Sequence, residues 1–130
     1  MSWVGMARTN FFPVRDEPAF RAWAQELELV VIADEHNRFG VYSKTDDGGF
    51  PTSARGDDEI DFALELSRHL QPGSIAILME IGNDKARYVS GFAIGVNSEG
   101  KRICIDLGDI YSEAGKFFGV EENSITKASY

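Results

Sequence analysis

Residues 74–107 constrain this chain more than any other stretch. They read as three consecutive β-strands, 74–81, 87–96 and 101–107, separated by Gly82-Asn83-Asp84-Lys85 and Asn97-Ser98-Glu99-Gly100. Gly and Asn adopt positive φ at little cost, so both breaks suit hairpin loops and the strands must pair antiparallel. A three-strand meander with an apolar face is stable only when another element covers that face. The remaining residues must therefore supply the cover.

Three helices are the candidates. Asp16 is placed to cap the first, with Pro18 in the first turn. Phe20, Trp23, Ala24 and Leu27 then follow at i, i+3, i+4 and i+7, an amphipathic stripe opposite Arg21, Gln25 and Glu26. The second helix is expected to open at Asp57-Asp58-Glu59, where acidic residues suit the positive helix end. It carries Ile60, Ala63, Leu64 and Leu66 on a broad apolar face and stops at Gln71-Pro72-Gly73. Asp106 and Asp109 form an approximate capping box for the third, with Ile110, Tyr111, Ala114, Phe117 and Phe118 periodic and Gly119 as the stop.

Ahead of the meander, residues 9–14 read as a short strand that Pro13 confines to a sheet edge. Residues 29–34 are β-branched and read as a buried strand, turning at Glu35–Arg38 into a hairpin partner at 39–44. Residues 1–7 and 120–130 have no pattern and are expected to be loose ends of a single domain spanning 1–130, with Met6 an alternative start. The order β-α-β-β-α-β-β-β-α predicts an α+β fold. It has one mainly antiparallel sheet of about six strands with helices largely on one face. Within the meander, Phe92, Ile94 and Val96 share one face and Gly91, Ala93 and Gly95 the other, so the small face is expected to receive a closely packed helix. Cys104 lies mid-strand and is expected to be a small buried apolar residue.

Chemistry is sparse. Neither His36, in a turn, nor His69, near a helix end that favours a cation, accompanies a nucleophile signature. There is no Cys pair, no His-x-x-x-His and no calcium loop, so no metal site, cofactor or catalytic residue is expected. The strand glycines do not sit between a strand and a helix and make no nucleotide cradle. The reading is non-enzymatic.

Charge is more informative. Thirteen basic against 21 acidic residues give a net charge of −8 and a pI near 4.7. This disfavours direct contact with nucleic acid or an anionic membrane and favours a basic protein partner. The acidic residues cluster in the first half, and a surface loop at 45–56 is long enough to be a contact surface. The expected partner-binding residues are Asp46, Asp47, Phe50, Asp57, Asp58, Glu59, Asp61 and Glu65. Converging carboxylates can imitate a nucleic-acid backbone and occupy a basic groove. No apolar run approaches a membrane span and no secretory signal is recognisable at the N-terminus, so a cytoplasmic location is expected. Nothing specifies an oligomeric state. A homodimer through an exposed sheet edge or an apolar helix face stays open.

Several segments together resemble a family of small, acidic, uncharacterised proteins of bacterial plasmids and phages. They are Ala7-Arg8-Thr9-Asn10-Phe11-Phe12, Asp47-Gly48-Gly49-Phe50-Pro51, Ile77-Leu78-Met79-Glu80-Ile81-Gly82, Arg87-Tyr88-Val89-Ser90-Gly91-Phe92-Ala93-Ile94 and Asp109-Ile110-Tyr111. The resemblance covers residues 7–118 and carries no functional residue. It implies a mobile-element protein in a bacterial host, of the kind that inhibits host defence as anti-CRISPR or anti-restriction proteins do. The alternative is an antitoxin or immunity protein that binds a cognate toxin.

Overall fold

A computed structural model of the chain describes residues 3–43, 49–52, 59–84 and 89–127. Its elements are β1 (Trp3–Thr9), α1 (Glu17–Glu26), β2 (Leu29–Ala33), β3 (Phe39–Ser43), α2 (Phe62–Ser67), β4 (Ile75–Asp84), β5 (Val89–Asn97), β6 (Arg102–Asp106) and α3 (Asp109–Phe118), followed by a 3₁₀ turn at Glu122–Ser124. The strands form one sheet in the order β2-β3-β1-β4-β5-β6, with every pairing antiparallel. The expected α+β class and element order hold.

The first strand differs from expectation. It occupies Trp3–Thr9, not 9–14, and lies inside the sheet between β3 and β4, not at an edge. The loose end expected at 1–7 is thus largely a strand, paired with β4 from Trp3↔Asp84 to Thr9↔Leu78. Beyond it Phe12 and Val14, on either side of a Pro13 that has no N–H to give, make isolated bridges to Phe39 and Leu70. Asn10 continues the strand edge with its side chain, its Oδ1 accepting from the Ile77 N–H at 2.8 Å.

One face of the sheet holds the core. Leu29, Val41, Ala76, Leu78 and Val96 meet Phe20 and Ala24 of α1 and Phe62, Ala63 and Leu66 of α2 in a single buried cluster. Local signals fix α1 as expected. Asp16 caps it by accepting from the Ala19 N–H at 3.1 Å, and Phe20 and Ala24 are fully buried. The second helix is shorter than expected. It begins after Asp61, whose carboxylate accepts from the Leu64 N–H at 3.1 Å. The expected start at Asp57 and Asp58 lies outside the described residues.

Two expectations are overturned. Helices cover the face of β5 that carries Phe92, Ile94 and Val96, while the small face of Gly91, Ala93 and Gly95 is uncovered. Large inward side chains supply the contact area that burial rewards, and glycine supplies none. Cys104 is exposed, because β6 is the edge strand and all its residues are exposed. The third helix packs against the 3₁₀ turn, which gives the expected loose tail some order.

Candidate functional site

A cleft of about 440 Å³, lined by described residues, opens where residues 50–52 and the start of α2 lie over β4, β5 and β6. Phe50, Phe62 and Phe92 give it apolar walls. Glu59, Asp61, Glu80 and Arg102 give it polar groups. Alternation along β4 puts Glu80 on the same side as Ala76 and Leu78, a carboxylate at the margin of the apolar core. It accepts from the Phe50 backbone N–H at 2.9 Å, which ties the loop to the sheet.

The Arg102 guanidinium reaches across from β6 to Asp61 at 2.7 Å. That hydrogen bond, with the Leu64 N–H at the helix start, holds the Asp61 carboxyl below its usual range. Asp61 is therefore charged and purely an acceptor at neutral pH. Such a group binds and orients cations but cannot donate a proton. The arrangement suits recognition, with charge of both signs beside aromatic walls.

A column of rings runs behind this cleft. Phe50 stacks on Phe62 at 4.9 Å, Phe62 stacks on Trp23 at 5.4 Å, and Trp23 meets His69 at 4.9 Å, tilted by 35°. The half-buried His69 also meets Phe20 edge-on. Burial lowers its pKa, against the pull of Glu65 and Asp16, so it is not the helix-end cation expected from sequence. Glu65 faces this column and accepts from the Trp23 indole N–H at 2.9 Å.

No family model, curated protein or solved structure matches the chain.

The expected contact residues divide accordingly. Glu59 and Asp61 come together at the cleft mouth, with Phe50 in its wall. Glu65 is turned toward Trp23, while Asp46, Asp47, Asp57 and Asp58 lie outside the described residues. Sequence reasoning missed Glu80 and Arg102. The signal for Glu80 was available, since it follows Ala76 and Leu78 at the same spacing of two and breaks an otherwise apolar alternating row. Arg102 had none, because only the sheet brings it to Asp61. Among the described residues no group of three or more His, Cys, Asp or Glu is arranged to hold a metal. No helix there is long and apolar enough to cross a membrane.

Proposed function

We propose that this is a non-enzymatic, acidic binding protein of a mobile element that inhibits a nucleic-acid-targeting defence system of its bacterial host by occupying a basic surface on an effector. The observation that supports it is how the charges are distributed. The formal charge is −8, and many of the described cations are neutralised internally. Arg21 pairs with Glu17, Arg38 with Asp34, Arg102 with Asp61, and Lys116 with Glu113. Glu26, Glu28 and Glu59 have no ion-pair partner among the described residues and are exposed. Carboxylates left uncompensated by neighbours project the field that steers a basic partner and competes with phosphate for it.

The test is capture of host proteins on immobilised wild-type protein, with and without excess duplex DNA. The expected result is a basic nucleic-acid-binding protein that DNA displaces and that a Glu59→Lys variant retains less well. Retention of no such protein, or retention that DNA leaves untouched, overturns the reading. The second result would redirect attention to a cognate toxin.

A further inference from the structure

No described element covers the side of the sheet opposite α1 and α2. Cross-strand partners share a face, so Met6, Ile75, Met79, Ile81, Ile103 and Ile105 all project there. All are exposed, from 50% at Ile81 to 69% at Met6 and Ile103. With Val89 and Leu107 on the same side, these side chains present on the order of 900 Å², more than the roughly 300–600 Å² of the largest patch on a typical monomer. It equals about what one partner contributes to a standard interface, near 800 Å².

A second apolar surface lies on α3. Ile110, Ala114 and Phe117 align at i, i+4 and i+7, and Phe117 is 83% exposed. The chain thus carries a sheet face without a helix and a helix face without a sheet. Their shapes correspond. The row Ile75–Ile81 of β4 and the pair Ile103 and Ile105 of β6 flank a strip where β5 offers only Gly91, Ala93 and Gly95. A ten-residue helix is about 15 Å long, and the β4 row spans about 20 Å.

We infer that the occupant of this face is a second copy of the chain, in a two-fold dimer where α3 of each copy lies along the open sheet face of the other. Charge points the same way. Two chains of net charge −8 repel, so a sheet face without carboxylates is where they meet at least cost. Among the described strand positions on this face there is no Asp or Glu, and Arg8 is its charged member. A basic partner would find no carboxylate there, and an anionic one only Arg8 beside the apolar rows. A two-fold contact buries both orphan surfaces twice.

The mass of the wild-type protein in solution, by light scattering on a sizing column, tests this. The expected value is close to twice the 14.4 kDa of one chain. Met79→Glu, at the centre of the open face, and Phe117→Glu, on the outer side of α3, should each yield monomer with unchanged far-ultraviolet circular dichroism. A monomeric wild type overturns the inference and leaves the face to a different protein. A dimer that survives Phe117→Glu also overturns it, since α3 would then not be the cover. A dimer lost on Ile103→Glu but kept on Met79→Glu points to pairing of β6 edges and overturns it too. If Met79→Glu fails to fold, Phe117→Glu, outside the sheet, still decides.

Discussion

The Trp23 indole N–H donates to the Glu65 carboxylate at 2.9 Å, fastening α1 to α2 above the sheet. The same ring stacks on Phe62 and meets His69 at a tilt. Trp23 therefore joins the two helices by a charge-assisted hydrogen bond and by stacking, and the two contributions are separable. Trp23→Phe keeps most of the packing and removes the donor, which should cost about 1–2 kcal/mol. Trp23→Ala removes both and should cost about 3 kcal/mol or more. Urea denaturation of the two variants beside wild type measures the difference. Equal losses would show that the hydrogen bond contributes nothing.

Asp61 has two duties, capping α2 and pairing with Arg102, and two substitutions divide them. Asn retains a side-chain oxygen for the Leu64 N–H but not the charge, so Asp61→Asn should cost at most about 0.5 kcal/mol, as expected of a solvent-facing ion pair. Asp61→Ala loses the cap as well and should cost about 1 kcal/mol more. The carboxyl is held below its usual value, so its share of stability is present above about pH 4 and fades as pH falls through the lower folded value. Thermal melts of both variants at pH 7 and pH 3 check this. The gap between wild type and Asp61→Asn should close in acid.

Helix α1 and strand β1 mark the two extremes of what the sequence makes legible. Asp16 with the Phe20–Trp23–Ala24 stripe is a local pattern, with cap and period inside one segment, and α1 forms accordingly. Trp3–Thr9 has no comparable pattern. It is a strand because β3 and β4 supply hydrogen-bonding edges on both sides, and that information lies more than thirty residues away. Alternation tells which residues of β5 share a face, but not which face the helices choose. For the cleft, Glu59 and Asp61 stand out as part of a carboxylate run. Their companions Glu80 and Arg102 come from strands 19 and 41 residues beyond Asp61, brought near by the sheet alone.

His69 makes stability depend on pH in a predictable direction. Desolvation against Phe20 and Trp23 lowers its folded pKa below the ordinary histidine value of 6.5. Below that value the unfolded chain binds a proton that the folded chain refuses, so acid favours unfolding. The facing charges, Glu65 and Asp16, reduce this effect but do not reverse it. Stability should therefore decline from pH 7 toward pH 5, and a His69→Gln variant should lose that part of the decline. Urea midpoints at the two pH values, wild type against variant, provide the measurement. Parallel profiles would mean that His69 is not the group responsible.

Gly40 and Gly95 lie in strands of the same sheet, yet they should respond oppositely to a methyl group. A Cβ at Gly40 would stand 2.6 Å from the Asn10 carbonyl oxygen and 3.2 Å from Thr9 Oγ1. Neither can yield easily. Asn10 is anchored to β4 through the Ile77 N–H, and the Thr9 hydroxyl accepts from the Val41 N–H while donating to that same carbonyl. Gly40→Ala should thus cost about 1–3 kcal/mol, the usual penalty of forced overpacking. At Gly95 the nearest atoms are the ends of Ile77 and Ile103 at 3.5 Å, ordinary contact on the uncovered face. In the Phe117→Glu background, where this face is open, Gly95→Ala should be neutral or stabilising by up to about 1 kcal/mol, because alanine restricts the unfolded chain more than glycine does. Chemical denaturation of the pair tests both signs. A neutral Gly40→Ala would mean that β3 can move away from Asn10 at no cost.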